Sequence, residues 1–334
     1  MRFLVPLLNM IDRALVPLNK QSPEAIKKAV PSLFLEAGDK AWHRYLEFFT
    51  AHIRNRNTRL SYHRAVWQFA RFCERRQIDL HNIDPFIVAA YIEHKGKTLS
   101  KPTVKQHLAA LRMLFDYLVV GQAIVSNPAA SVRGPKHVVR RGKTPVLTAE
   151  DARLLLDTID TNTIIGLRDR AIIGVMIYSF ARVGAAVSLK IEDYYQQGKR
   201  FWLRLHEKGG KEHSLPVHHK AEEYLDAYLA MTGIGHAKDT PLFRRVDRKR
   251  LLQKAGLDRR EVLAMIKRRV AQAGLPDSIS CHSFRATGIT TYLKNGGTLE
   301  KAQQIANHES PRTTKLYDRT TDEISLDEIE RIII

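Results

Sequence analysis

The chain has 334 residues, with 54 Lys and Arg against 35 Asp and Glu, a formal charge of +19 and a pI near 10.0. That length exceeds what one hydrophobic core usually serves, so two domains are expected; the positive surplus points to a polyanion, with nucleic acid ahead of a membrane surface, which would call for a basic amphipathic helix that no segment resembles. Cys73 and Cys281 lie far apart and outside any C-x-x-C pair, which argues against a disulfide framework or a zinc finger and fits a reducing cytosol.

Residues 1–38 form an N-terminal extension without an assignment. The apolar run at 3–11 is broken by Pro6 and Asn9 and followed by Asp12 and Arg13, so a signal peptide is not expected. No stretch approaches the roughly 20 apolar residues of a membrane span, and a soluble cytoplasmic protein without a membrane partner is expected. Residues 39–126 read as a helical domain, with Tyr62, Val66, Phe69, Ala70 and Cys73 recurring at threes and fours. Arg54, Arg56, Arg59, Arg64, Arg71, Arg75 and Arg76 make it basic, with Trp67, Phe69 and Phe72 interleaved. That pattern suits a DNA-facing surface, or a solvated face over an aromatic core. A helix starts near Ser100, a candidate cap, with Pro102 in its first turn and Val104, Leu108, Leu111, Met113 and Leu114 at helical spacing. Lys101, Thr103, Lys105, Gln106 and Arg112 would lie near its start or on its polar face, where hydroxyl, amide and basic groups suit phosphate and base-edge contacts; an ordinary surface helix looks alike.

Residues 127–145 are rich in Pro, Gly and basic residues, including Arg140, Arg141 and Lys143, and read as a linker able to track a DNA backbone or simply to stay solvated. The candidate DNA-binding residues are therefore Arg54, Arg56, Lys101, Thr103, Lys105, Arg140, Arg141 and Lys143. The second domain spans 146–334 and opens with a possible capping box at Thr148 to Asp151. A helix over 166–179 leads into Arg182, with a further helical stretch through Val187. The one clear strand signal follows: β-prone runs at 201–206 and 213–217 around a Gly-Gly turn at 207–212 read as a hairpin. Helical patterns resume over 259–273 and 299–307, and the tail from Ile324 has a strongly apolar face.

The chemistry-bearing residues come in a fixed order. Arg182 follows a helix, and Lys208 sits on the hairpin turn. His282 and Arg285 stand three apart, so a helix turns both to one face. His308 follows, and Tyr317 lies nine residues after it. Fixed cations stabilise the charge that develops on a phosphorus under attack, which suits Arg182 and Arg285 as a clamp with His308 as a further donor. Tyr317 has a free pKa near 10 and needs a base or a cationic field; His282 is the candidate base. Lys208 is the candidate general acid for the leaving 5′ oxygen, with Lys211 as its rival. Tyr178 and Tyr292 lack a His at the matching spacing. His206, His213, His218 and His219 raise a metal site as a weaker alternative, since no acidic or cysteine ligand set accompanies them.

This ordered set resembles the tyrosine recombinase family of phage integrases and related recombinases, over about residues 40 to 330. The resemblance implies a mainly α fold with a small β-hairpin or sheet in the C-terminal domain: a two-domain, C-shaped DNA clamp made of a helical, SAM-like core-binding domain and an α+β catalytic domain. It implies site-specific cleavage and rejoining of DNA through a 3′-phosphotyrosyl link on Tyr317, with integration, excision or resolution as the outcome, and with no cofactor, metal or ATP. Its partners would be a double-stranded recombination site and three further copies, a homo-tetramer on two DNA sites, coupled by a C-terminal helix docked on a neighbour. Three positions depart from the pattern: Ala185 stands where an acidic residue usually follows the first Arg, Ala286 where a His is frequent after Arg285, and Asn307 where a Gly usually precedes the His. Ala185 leaves Arg182 without its expected carboxylate. A catalytically inactive DNA-binding protein, a relaxing topoisomerase and a metal-dependent nuclease are the competing readings.

Overall fold

The computed structural model describes residues 30–139, 142–207, 210–318 and 329–330. Arg140, Arg141, Lys208, nearly all of the N-terminal extension and most of the apolar tail lie outside the described residues. Two compact units appear, one ending at Val138 and one beginning at Val139.

The first unit is helical: α1 (Ser32–Leu35), α2 (Asp39–Glu47), a π-helical turn (Phe48–His52), α3 (Arg56–Glu74), α4 (Pro85–Gly96) and α5 (Lys101–Val120). Its core extends beyond the 39–126 span expected from sequence, because Val30, Leu33 and Phe34 enter at one end and Ala129 and Val132 at the other. The second segment is held by Arg112, whose guanidinium donates to the carbonyls of Ala129 and Val132. Arg112 is thus a tether rather than part of a DNA-facing stripe. Arg59 is also withdrawn from the surface, donating through Nε and Nη2 to the Ile53 carbonyl. Asn55 caps α3 by accepting from the amides of Asn57 and Thr58. Ser100 occupies the N-cap position of α5 without a side-chain cap bond and meets Thr103 Oγ1 instead.

The second unit runs α6 (Ala149–Asp157), α7 (Ile164–Tyr178), α8 (Val183–Ser188), β1 (Tyr194–Gln197), β2 (Arg200–His206), β3 (Glu212–Pro216), α9 (His219–Thr232), β4 (Arg244–Val246), β5 (Leu252–Gly256), α10 (Arg259–Gln272), α11 (Cys281–Lys294), α12 (Leu299–Ala306) and α13 (Pro311–Lys315). Thr148 Oγ1 accepts from the Asp151 amide and starts α6. The hairpin forms with Trp202 opposite Pro216 and His206 opposite Glu212. Two features exceed the single strand signal. The strand β1 adds to β2 to make an antiparallel three-stranded sheet, and β4 pairs with β5 separately. Neither carries a clear sequence signal, because Tyr194–Gln197 shows little apolar alternation and β4 is three residues long. The main core packs α7 against α9 and α11, and a smaller cluster gathers Phe180, Ala286, Ile289, Ala302, Ala306 and Tyr317. No helix among the described residues is long and apolar enough to cross a membrane.

Candidate active site

Helix α11 carries His282 and Arg285 on adjacent turns. Its start is fixed by Ser280, whose amide donates to Ser283 Oγ at 3.1 Å. Its middle approaches α7 so closely that a Cβ on Gly288 would stand 2.0 Å from the Ile177 carbonyl. Ala286 is fully buried in the small cluster. Arg285 is 1% exposed, and its guanidinium donates to the carbonyls of Phe180 and Ala306. These anchors tie it to the α7–α8 connection and to the end of α12. Burial, then the nearby charge of Arg182, pulls its pKa down to about 10, with Glu207 and Tyr317 acting in the opposite sense. It remains a cation at neutral pH.

Arg182 precedes α8, and its Nη1 donates to Glu207 Oε2 at 2.7 Å. The arginine side chain is 41% exposed, whereas that of Glu207 is 5% exposed. Among the described residues Glu207 Oε1 is buried without a hydrogen-bond partner. Other hairpin residues also reach the elements around this site. Lys211 Nζ pairs with Glu309 Oε1 at 2.7 Å, and His213 Nε2 lies 3.2 Å from the Ile305 carbonyl, within reach to donate to it.

Asn307 ends α12 in the left-handed region, at φ 45 and ψ 53. That explains a residue that stands where Gly is usual: Asn tolerates this conformation best after Gly. The turn delivers His308, which is buried, with Nδ1 2.9 Å from Thr314 Oγ1. Burial first, then the charges of Arg285 and Arg182, lowers the His308 pKa to about 3, so the ring is neutral. Helix α13 is short and begins where Ser310 accepts from the Arg312 amide. It sets Tyr317 beneath His308, the two rings 5.7 Å apart and 9° from parallel. Thr290 Oγ1 donates to the Tyr317 carbonyl at 3.0 Å.

The Tyr317 hydroxyl lies 2.8 Å from His282 Nε2. Burial raises the tyrosine pKa, and Arg285 and Arg182 counter part of the rise. Burial likewise lowers His282, helped by the same two arginines. Arg182, His282, Arg285, His308 and Tyr317 therefore share one site. Tyr178 stacks on His218 at 4.3 Å, and Tyr292 packs on Gly297. His206 lies between Asp193 Oδ1 and Glu212 Oε1, at 3.0 and 2.8 Å. The residue that sequence reasoning missed is Glu207. Its place beside Lys208 was visible, but its pairing with an arginine 25 positions away leaves no spacing signal. Of the expected DNA-binding residues, Arg54, Arg56, Lys101, Lys105 and Lys143 are exposed and Thr103 is half-buried.

Residues 145–323 match the Phage integrase family, and residues 41–121 match its N-terminal SAM-like domain. Tyrosine recombinase XerC of Pelobacter propionicus is 30% identical over 282 residues, covering 83% of this chain and 87% of the relative. Tyrosine recombinase XerD of Lacticaseibacillus casei is 26% identical over 265 residues, covering 78% and 87%. Among solved structures, XerH recombinase bound to a palindromic difH substrate in a post-cleavage complex aligns with a TM-score of 0.66 at 19% identity, covering 94% of this chain and 91% of that one. A lambda integrase dimer on a COC′ core site aligns at 0.63 and 19% identity, covering 85% and 97%. The chain belongs to the phage integrase family of tyrosine recombinases, DNA strand-transferring enzymes that act without metal or ATP.

Proposed function

We propose that this recombinase cleaves and rejoins DNA at specific sites through a 3′-phosphotyrosyl intermediate on Tyr317. The observation that carries the reading is the 2.8 Å contact between the Tyr317 hydroxyl and His282 Nε2, within the field of Arg182 and Arg285. A neutral His282 takes the phenolic proton as the oxygen attacks the scissile phosphorus. The P–O5′ bond breaks as the P–O(Tyr) bond forms, and the departing 5′ oxygen takes a proton from Lys208. Lys211 is the less favoured donor because its ammonium is paired with Glu309.

Arg182 and Arg285 neutralise the non-bridging oxygens of the five-coordinate phosphorus. The Thr314 hydroxyl, 2.9 Å away, can donate to Nδ1; His308 then keeps its proton on Nε2 and offers a neutral hydrogen bond to the same phosphate. Each such donor is worth about 2.7 to 4 kcal/mol in a well-organised site. The phosphotyrosine link conserves the energy of the broken bond, so a second 5′ hydroxyl reverses the step and rejoins strands without ATP.

The substrate is proposed to be a double-stranded recombination site, gripped through the phosphates by Arg54, Arg56, Lys101, Thr103, Lys105 and Lys143, and by Arg140 and Arg141 of the linker. A lambda integrase tetramer bound to a Holliday junction aligns with a TM-score of 0.63 at 18% identity. A homo-tetramer on two sites fits this chain as well, coupled by its apolar C-terminal segment, and integration, excision and resolution are its possible outcomes. Footprinting on DNA flanking the gene identifies the site. A nicked suicide duplex carrying that site then traps protein covalently with the wild type and not with Tyr317→Phe. Equal DNA binding by both with no trapped wild type makes this an architectural DNA-binding protein instead.

A further inference from the structure

We propose that Glu207 is the positioning residue for Arg182, standing in for the carboxylate missing at Ala185 and tying the β2–β3 hairpin to the phosphate clamp. The proposal rests on the function proposed above. A guanidinium on an exposed side chain has many rotamers, and a clamp requires one of them. Glu207 Oε2 holds Nη1 at 2.7 Å from a carboxylate that is 5% exposed, while Arg182 keeps 41% of its side chain open to a ligand. Ala185 cannot do this: its methyl group is buried in the core cluster.

The second carboxylate oxygen is the further sign. Among the described residues Oε1 is buried without a partner, a costly condition that calls for an explanation. It is an acceptor held ready for a second N–H of Arg182 once a phosphate orders the guanidinium. Because Glu207 directly follows β2, and Lys211 and His213 fasten the same hairpin to Glu309 and the Ile305 carbonyl, lifting the hairpin releases Arg182 as well. The hairpin and the clamp are then seated together.

The test is a double-mutant cycle on single-turnover cleavage of the nicked suicide duplex, with duplex affinity measured in parallel. Glu207→Gln is expected to slow cleavage roughly 10- to 100-fold, in keeping with the loss of about 100-fold for a small misplacement, with duplex affinity little changed. Glu207→Asp recovers part of the rate. In an Arg182→Ala background, Glu207→Gln causes no further loss, because it acts through that arginine. A methylphosphonate at the scissile position, which removes the charge Arg182 neutralises, shrinks both single defects alike. Cleavage by Glu207→Gln at the wild-type rate overturns the proposal, and so do losses that multiply independently in the double variant. If Glu207→Gln does not fold, Glu207→Asp carries the same cycle. A wild type that cleaves nothing sinks the functional reading and this role with it, whereas a cleaving wild type matched by Glu207→Gln sinks the role alone.

Discussion

The hydroxyl of Tyr317 and Nε2 of His282, 35 positions apart in sequence, face each other at 2.8 Å. Burial moves their pKa values in opposite directions, the phenol up and the imidazole down. At neutral pH the proton therefore rests on the tyrosine and the base is free. Because the His282 value lies below its ordinary 6.5, the base form persists above that pH and is lost only on acidification. Cleavage by the wild type should be level through pH 7 to 8 and fall in acid. In His282→Ala the tyrosine has to ionise unaided, and the rate should climb about tenfold per pH unit across pH 7 to 9. A level profile in this variant would remove His282 as the base.

Arg285 is fixed by two carbonyls from separate segments, those of Phe180 and Ala306. A lysine offers one point charge and cannot span both. Arg285→Lys should cut the cleavage rate by about 100-fold or more while duplex binding persists. Arg285→Ala should in addition lower the melting temperature, since it orphans both carbonyls in a buried site. Wild-type cleavage by the lysine variant would show that charge alone suffices.

Asn307 holds a left-handed backbone immediately before His308. Asn307→Gly should be well tolerated in melting temperature and in cleavage. Asn307→Ala should cost about 1 kcal/mol and slow cleavage by shifting His308. Equal behaviour of the two variants in both assays would mean that the φ of 45 does not govern His308.

His63 and His107 in the first unit each have pKa values lowered to about 4, chiefly by burial. Unfolded, they titrate near 6.5. Between the two values the unfolded chain holds the extra proton, so acid favours unfolding; above 6.5 neither state is protonated and the effect vanishes. Stability should decline from pH 6.5 towards 4, by up to roughly 1.4 kcal/mol per pH unit for each histidine. Among the described residues His63 Nε2 is buried without a partner, so His63→Phe should flatten the decline without lowering stability at pH 7. Urea midpoints at pH 7 and pH 5 decide it, and an unchanged slope would clear His63.

Lys101 and Lys105 are exposed in the first two turns of α5. If both meet phosphates, converting them to Ala should weaken duplex binding uniformly across sequences. The log-log salt slope should then become shallower by about 0.9 for each phosphate no longer neutralised. An unchanged slope would place the DNA on another face.

Some of this was written in local patterns. The hairpin follows from two β-prone runs around a Gly-Gly turn, and α11 sets His282 and Arg285 one turn apart because a helix brings such neighbours to one face. The basic stripe of the first unit is less legible. Arginines look alike in sequence, yet Arg59 and Arg112 turn inward to backbone carbonyls. Burial of a guanidinium depends on carbonyls that only the packed chain supplies.

The sequence by itself determined the family, the order of the candidate catalytic residues and the nine-residue step from His308 to Tyr317, because these lie in short motifs whose spacing survives without coordinates. Only the tertiary structure decided how the site is held: Glu207 against Arg182, Phe180 and Ala306 on Arg285, Thr314 on His308. Most of these contacts join residues from 21 to 105 positions apart. Side-chain type alone does not encode such pairings; they arise when helices and hairpin close on a common core and buried donors must find acceptors.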